Sequence, residues 1–372
     1  MYLGLTSSHE LSDRRVPIVF WGSGMVYQNF CEMINLDNDI IGVVDNYTAS
    51  WGRRIFYRGR SLEIMSPQEA IRRGGRKAEW ILTTGVNATM EILLQLSKIA
   101  ELKDTVCYTA YSIMAVYSYE GHKIPSTFRL EEKQIIPHII HYCWFGGRPL
   151  PELYQNCIDS WNKNCPGWEI RRWDENNYDI SKHHYMKQAA EQGCWAFVSD
   201  YARKDVVYQY GGIYLDADVE VLRPLDELCY QKGFCAFVRN QIATGLGFGG
   251  QAYNSVIKEW MDVYDTESFM MKKRTEMKIC MDYETEILER HGLIRNGDLQ
   301  YLQGMTVYPG ELFIDEGVCC GYEYVSDKTF IIHRNGGSWF GERKGAMRAL
   351  ARLHARLHES SFIYLDGDSL TQ

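Results

Sequence analysis

The sequence predicts an α/β protein in two parts, each a sheet fed by alternating strands and helices. Three stretches carry that expectation. Val16 to Trp21 (VPIVFW) is an apolar run, followed by Gly22-Ser23-Gly24, a helical segment to Met33 and a second apolar run, Ile40 to Val44, ending in Asp45. Ile136 to Glu152 (IPHIIHYCWFGGRPLPE) places a strand before a glycine pair and a second helical segment. Ala196 to Val221 (AFVSDYARKDVVYQYGGIYLDADVEV) joins a helix to an alternating strand through Gly211-Gly212.

The bounds are those of an ordinary globular chain. Its 372 residues hold two or so domains, with 24% charged and 45% hydrophobic residues. A net charge of -8 argues against bulk nucleic-acid binding, which needs a basic surface. Eleven cysteines include no C-x-x-C pair, which fits reduced, buried thiols of a cytosolic protein better than a zinc pattern or a disulfide framework. The N-terminus lacks a signal-peptide pattern, and no apolar run approaches the roughly 20 residues of a membrane span. A cytoplasmic location is therefore expected.

In chain order, residues 1–15 read as a tail. Residues 16–112 read as a small Rossmann-like parallel α/β domain. Asp45 lies about 20 residues past the glycines, the ribose-binding spacing of dinucleotide folds. A nucleotide site there would use Gly22, Gly24 and Asp45, although Tyr27 stands where a third glycine is expected. A docking or scaffold domain that keeps its glycines for turn geometry is the favoured reading, since a lone G-x-G is a weak signal. Residues 113–135 lack a clear period and read as a linker.

Residues 136–358 form the second expected domain. Ile139, Ile140, Tyr142 and Trp144 make its first strand, and Trp168 to Trp173 a second. In the central stretch Ser199 is the expected N-cap, with Asp200 in the first helical turn and Arg203 one turn on. Gly211-Gly212 ends that helix. Ile213 to Val221 reads as one strand, so Asp216 and Asp218, two apart, point the same way. Two unpaired carboxylates on one face repel unless a cation joins them, and Mn²⁺ or Mg²⁺ suits such an oxygen site. Gly245 to Gly250 reads as a flexible loop, and Met270 to Lys278 as a basic solvated face. His333 follows Ile331-Ile332 and precedes Gly336-Gly337-Ser338-Trp339. A C-terminal helix, Glu342 to His358, carries Arg348, Arg352 and Arg356 along one face, either a solvated stripe or a contact for an anionic membrane surface. Residues 359–372 read as a tail.

The run SDYARxxxxYxxGGIYLDxDVE resembles the D-x-D core of family 32 glycosyltransferases. That group is related to the yeast initiating α-mannosyltransferase, bacterial capsular-polysaccharide transferases and the clostridial glucosylating toxins. The opening I-P-x-I-I-H-x-x-W-F-G-G and the closing strand–His–small-residue–Trp segment are similar to the same family. The resemblance implies a GT-A-type nucleotide-sugar transferase domain, a divalent metal, and retaining transfer of a hexose, with a UDP-sugar donor favoured. It implies a saccharide or lipid-linked glycan acceptor in bacterial surface polysaccharide synthesis.

By the same resemblance Asp218, Asp216 and His333 hold the metal. Asp200 and Arg203 bind sugar hydroxyls, and His141, Tyr142, Trp144, Phe145, Tyr214, Ser338 and Trp339 line the donor. Family members usually carry a second His where Arg334 stands, so Arg334 is a candidate phosphate partner. Other readings remain open at this point: an NAD-dependent sugar-modifying enzyme working through the first domain, or a non-catalytic carbohydrate- or nucleotide-sugar-binding protein. A phosphatase of the D-x-D-x-V type is disfavoured, because its nucleophile belongs on a first strand.

Overall fold

A computed structural model describes residues 1–269, 278–316, 324–336 and 344–365. The fold is mixed α/β, as expected, and divides into two compact units.

In the first unit come β1 (Tyr2–Gly4), α1 (Ser8–Arg14), β2 (Ile18–Trp21), α2 (Met25–Met33), β3 (Ile40–Val44), β4 (Arg54–Tyr57), β5 (Arg60–Met65), α3 (Pro67–Arg72), β6 (Glu79–Leu82), α4 (Val86–Ser97), β7 (Val106–Thr109) and α5 (Ala110–Tyr119). The expected N-terminal tail is thus a strand and a helix. Ser7 and Glu10 close a capping box at the start of α1, and Leu3 and Leu11 are fully buried. The expected linker begins instead with α5, which is buried on nearly every side. A helix surrounded by core shows no amphipathic period, so its sequence reads as irregular.

The second unit holds β8 (Ile139–Cys143), α6 (Glu152–Asn164), β9 (Glu169–Trp173), α7 (His184–Glu191), α8 (Trp195–Tyr210), β10 (Gly212–Tyr214), β11 (Val219–Val221), β12 (Gly233–Val238), β13 (Gln241–Ile242), β14 (Phe248–Gly250), α9 (Ser255–Thr266), α10 (Cys280–Arg290), β15 (Gln300–Leu302), β16 (Met305–Tyr308), β17 (Phe313–Asp315) and β18 (Ile331–His333). Its main sheet runs β15-β16-β12-β14-β10-β8-β9, and a separate small sheet runs β11-β18-β17. Two apolar clusters cover the main sheet, one containing Ile140, Tyr142, Trp161 and Ile213, the other Cys143, Val206, Tyr214 and Trp260.

The segment expected as a flexible loop, Gly245 to Gly250, instead contributes β14, inserted between β12 and β10. Glycine is required there by space: a Cβ on Gly249 would stand 2.5 Å from the Phe234 ring.

The chain's last described elements, α11 (Lys344–Ser360) and β19 (Phe362–Tyr364), belong to the first unit rather than to the second domain and a tail. Leu353 and Leu357 of α11 join the first unit's core, and β19 pairs antiparallel with β1. The first unit's sheet then reads β19-β1-β7-β6-β2-β3-β5-β4.

Candidate functional site

The D-x-D pair sits where the second unit changes sheet. The expected single strand over Ile213–Val221 is broken: β10 ends at Tyr214, residues 217 and 218 turn, and β11 starts in the small sheet. The turn is held by backbone bonds. The Asp216 amide donates to the Gly245 carbonyl (3.1 Å), and the Val219 amide to the Asp216 carbonyl (2.9 Å). The two carboxylates still converge, through the turn instead of the pleat.

Asp216, Asp218 and His333 each offer one ligand atom, and these atoms lie within 4.8 Å of one another. Two carboxylates and one imidazole form the oxygen-rich donor set that Mn²⁺ or Mg²⁺ accepts, so the residues present fit the cation. His333 comes from β18, which pairs with β11 so that Val219 lies opposite His333. Its Nε2 is 3.1 Å from Asp218 Oδ1 and its Nδ1 is 3.2 Å from Asp315 Oδ1. Asn335 also donates to Asp315. The Gly336 amide donates to Asp218 Oδ2 (2.8 Å).

These contacts separate the two acids. Burial pushes the Asp216 carboxyl up, against the pull of Arg203. Burial also opposes ionisation of Asp218, but His333 and the Gly336 amide outweigh it and hold that carboxyl below its usual range. His333 is raised well above its ordinary value, because Asp218 and Asp315 overcome its own desolvation. Asp315 is brought down to about 2, its burial outweighed by bonds to His333 and Asn335.

Helix α8 supplies the second half of the site. Its N-cap is Cys194, not Ser199, so Asp200 and Arg203 lie in the helix body and Ser199 Oγ donates to the Trp195 carbonyl (3.2 Å). The spacing argument survives, since Arg203 Nη2 meets Asp200 Oδ1 at 3.0 Å and Asp216 Oδ1 at 3.7 Å. Tyr214 Oη donates to Asp216 Oδ1 (2.8 Å), and the Arg203 guanidinium lies 5.3 Å from the Tyr214 ring centroid. Arg203 and Asp200 are buried, which makes Arg203 foremost the clamp of Asp216. Beneath them, Lys204 pairs with Glu284 (2.7 Å), and Glu284 accepts from the Thr244 amide (3.0 Å) and hydroxyl (2.5 Å). That buried chain fixes the segment carrying Gly245. A Cβ on Gly245 would stand 2.6 Å from Asp216 Oδ2 and 2.7 Å from Arg203 Nη1.

The other sequence candidates divide. Both ring nitrogens of His141 are engaged within the fold rather than turned toward a nucleotide sugar. Trp173 Nε1–H donates to its Nδ1 (3.0 Å), and its Nε2 lies 2.8 Å from the Gly211 carbonyl, so the ring ties β9 and the end of α8 to β8. Burial brings its pKa down to about 4. Tyr142 and Phe145 are buried, Tyr142 edge-on to Trp161 and Phe145 beside Tyr178. Trp144 is half-buried, with Nε1 on the Arg148 carbonyl (2.6 Å) and its ring against Tyr154 (5.0 Å).

Ser338 and Trp339 lie outside the described residues, as does most of the basic run Met270 to Lys278. Arg334 is not left for phosphate. It donates from Nε and Nη2 to Glu220 Oε2 (2.7 and 2.6 Å) and from Nη1 to Glu316 Oε2 (3.1 Å). Gly22, Gly24 and Asp45 fall in the first unit. Gly22 has φ +118° and is crowded by Thr83 and Thr84, while the Asp45 carboxylate accepts from Ser23 Oγ and the Tyr47 amide. Local geometry accounts for Gly22 and Asp45, whereas a Cβ on Gly24 would meet nothing within 4 Å.

Sequence reasoning missed Asp315, Glu284 and Tyr154. Tyr154 crowds Gly336 closely enough that a Cβ there would stand 2.5 Å from its hydroxyl oxygen. The signal for Asp315 was thin: an acid after the apolar Phe313-Ile314, as His333 follows Ile331-Ile332.

Residues 151–235 match the family described as "Glycosyltransferase sugar-binding region containing DXD motif". The inositol phosphoceramide mannosyltransferase 1 of Schizosaccharomyces pombe is 28% identical over 110 residues, 28% of this chain but only 34% of that protein's length. An uncharacterized glycosyltransferase, L373, of Acanthamoeba polyphaga mimivirus is 24% identical over 221 residues, 55% of this chain and 84% of that protein. The solved PaToxG glycosyltransferase aligns over 55% of this chain and 78% of its own with 13% identity and a TM-score of 0.35, too distant a likeness to argue from. Residues 151–235 are thus similar to DXD-containing glycosyltransferase sugar-binding regions, and the yeast and viral relatives are described as a mannosyltransferase and a glycosyltransferase.

Proposed function

We propose that the chain is a metal-dependent, retaining hexosyltransferase of GT-A type, moving a sugar from a nucleotide donor to a glycan or lipid-linked acceptor. The observation that carries this reading is the convergence of Asp216 and Asp218, both inside the region that matches DXD glycosyltransferases, with His333 brought to them from β18. When bound, Mn²⁺ or Mg²⁺ would neutralise the charge that develops on the leaving diphosphate.

The chain's own groups do the rest. Asp218, the more acidic of the pair, is the direct ligand. Asp216, clamped by Arg203 and Tyr214, is oriented toward ribose, sugar hydroxyls or the cation. Asp200 and Arg203 form the buried floor of the sugar site. Trp144, half-buried, lines the donor side with aromatic surface, while the fully buried Tyr214 acts through its hydroxyl on Asp216. Retention needs no enzyme base, since a departing phosphate on the acceptor's side can take its proton. Uridine donors and bacterial surface polysaccharide are the favoured context, with the enzyme in the cytoplasm. The Arg348, Arg352 and Arg356 stripe on α11, each residue exposed, suits the inner face of an anionic membrane. Among the described residues no helix is long and apolar enough to cross a membrane.

Calorimetric titration with UDP and then GDP, with and without Mn²⁺, tests the reading. Metal-dependent binding of either nucleotide, lost in Asp218→Ala, supports it and fixes the donor base. No binding of either with metal present would overturn it.

A further inference from the structure

Two arginine–dicarboxylate groups flank Asp218. Arg203 between Asp200 and Asp216 is the closed one, with the Arg203 and Asp200 side chains 6% and 8% exposed. The second is Arg334 between Glu220 and Glu316, and it is open, at 18%, 32% and 35%. These three side chains face a cavity of about 470 Å³, completed by Leu153, Asn156 and Cys157 of α6. The volume is in the range of small-molecule sites.

Each charged wall residue stands one or two positions from a group of the D-x-D centre in sequence. Glu220 is two residues past Asp218, Arg334 follows His333, and Glu316 follows Asp315. The Arg334 amide also donates to the Asp218 carbonyl (2.8 Å). Consecutive strand residues face opposite sides, so His333 and Asp315 turn away from this cavity. Asp218 is the group of the centre that neighbours it, since its charge and those of Glu220, Arg334 and Glu316 all act on the Cys157 thiol of the wall.

We propose that this cavity is the acceptor subsite and that it takes an uncharged polyhydroxyl ring, a hexose or a cyclitol; the proposal rests on the transferase reading above. The chemistry of the wall points to that class. Both Arg334 bonds to Glu220 fall on Oε2, and its bond to Glu316 also falls on Oε2. Among the described residues, no hydrogen bond reaches Oε1 of either acid. Two carboxylate oxygens held rigidly by one guanidinium are acceptors for ring hydroxyls, and Asn156 adds a donor and an acceptor. Leu153 and Cys157 supply an apolar wall for C–H faces. Two carboxylates against one guanidinium leave a net negative charge, which disfavours a phosphorylated or carboxylated ring.

Saturation-transfer NMR on the full chain tests this, with Mg²⁺ and whichever of UDP or GDP binds. The probes are methyl α-D-glucopyranoside, methyl α-D-mannopyranoside and myo-inositol, with glucose 6-phosphate as the charged counterpart. At least one neutral ring should bind. Its affinity should fall about tenfold in Glu316→Gln, the loss expected with a hydrogen bond to a charged group. Leu153→Trp, a cavity-filling change at an exposed position, should abolish it. Nucleotide affinity measured by calorimetry should be unchanged in both variants, which also shows them folded. The proposal is overturned if no neutral ring binds, if glucose 6-phosphate binds as well as the neutral glycosides, or if neither variant alters ring affinity. Failure of nucleotide binding in the unaltered protein strikes the transferase reading instead, and the ring titration still scores the cavity on its own.

Discussion

Gly245→Ala is the sharpest probe of the site, because a single methyl group would land between its two charged halves. The added Cβ would lie 2.6 Å from Asp216 Oδ2 and 2.7 Å from Arg203 Nη1, where ordinary contact begins at 3.4 Å. Each group must therefore retreat by about 0.7–0.8 Å, the difference between those distances. The far ends of flexible side chains usually give way cheaply. These two do not, since Arg203 is held by Asp200 (3.0 Å) and by the Ser199 carbonyl (3.1 Å), and Asp216 by Tyr214 (2.8 Å). Gly245 does not adopt the left-handed backbone, so Ala adds no φ strain. Overpacking of this kind costs about 1–3 kcal/mol of stability, enough to lower Tm by several degrees without unfolding the chain. A misplacement near 1 Å costs on the order of a hundredfold in rate. Metal-dependent nucleotide affinity by calorimetry and turnover by released nucleotide are the two readouts. We expect affinity to fall about tenfold and turnover about a hundredfold. Unchanged affinity and turnover in a folded variant would refute the idea that Arg203 and Asp216 act as one preformed unit.

Four further outcomes are expected. Asp315→Asn should weaken Mn²⁺ binding by about 10–100-fold, read by electron paramagnetic resonance of free Mn²⁺, because the carboxylate that orients His333 through Nδ1 is gone. Glu284→Gln should cost about 3–5 kcal/mol in denaturant unfolding, since it leaves the fully buried Lys204 without its carboxylate. His141 in the second unit and His354 in the first are both held near pKa 4 by burial, below their unfolded value. The stability they confer is present above about pH 6.5 and is lost as pH falls toward 4, so urea midpoints of both units should drop across that window and return in His141→Gln and His354→Gln relative to their own pH 7 values. Replacing Arg348, Arg352 and Arg356 by Glu should remove co-sedimentation with phosphatidylserine vesicles while leaving nucleotide affinity intact; retained co-sedimentation would exclude the α11 stripe as the contact.

Much of this was legible in the chain because it is local. The helix of Asp200 and Arg203, the Gly211-Gly212 stop and the Asp216/Asp218 pair lie within one short run, and periodicity and glycine chemistry suffice for them. His333 could be named because a small-residue segment follows it. What the sequence concealed is long-range. Asp315 acquires a role only when β17 pairs with β18, and Glu284 only when α10 carries it beneath α8. The break after Tyr214 was hidden because a turn between two sheets keeps the same alternation of apolar and acidic residues as one continuous strand. His141 misled for the opposite reason: a histidine in a strand looks available until Trp173 and Gly211 take both its nitrogens. Segment α5 and the Ser7–Glu10 cap show the two ways an element escapes notice, the first by burial on all sides, the second by brevity.

The pairing of β1 with β19 has a consequence for how the chain acquires its structure during synthesis. Tyr2 lies opposite Tyr364 and the Leu365 amide bonds the Met1 carbonyl, so neighbouring strands of one sheet are made at opposite extremes of the described chain. The second unit is an insertion between them, and all of its described residues leave the ribosome before α11 and β19 do. Its core can close while the first unit still exposes Leu3, Leu93 and Leu96, the apolar surface that α11 later covers. Such a nascent chain is a client for chaperones until its last strand arrives. A fragment cut after residue 336 would lack that strand for good, whereas excision of residues 121–336 with a short linker would leave every described element of the eight-stranded sheet in place.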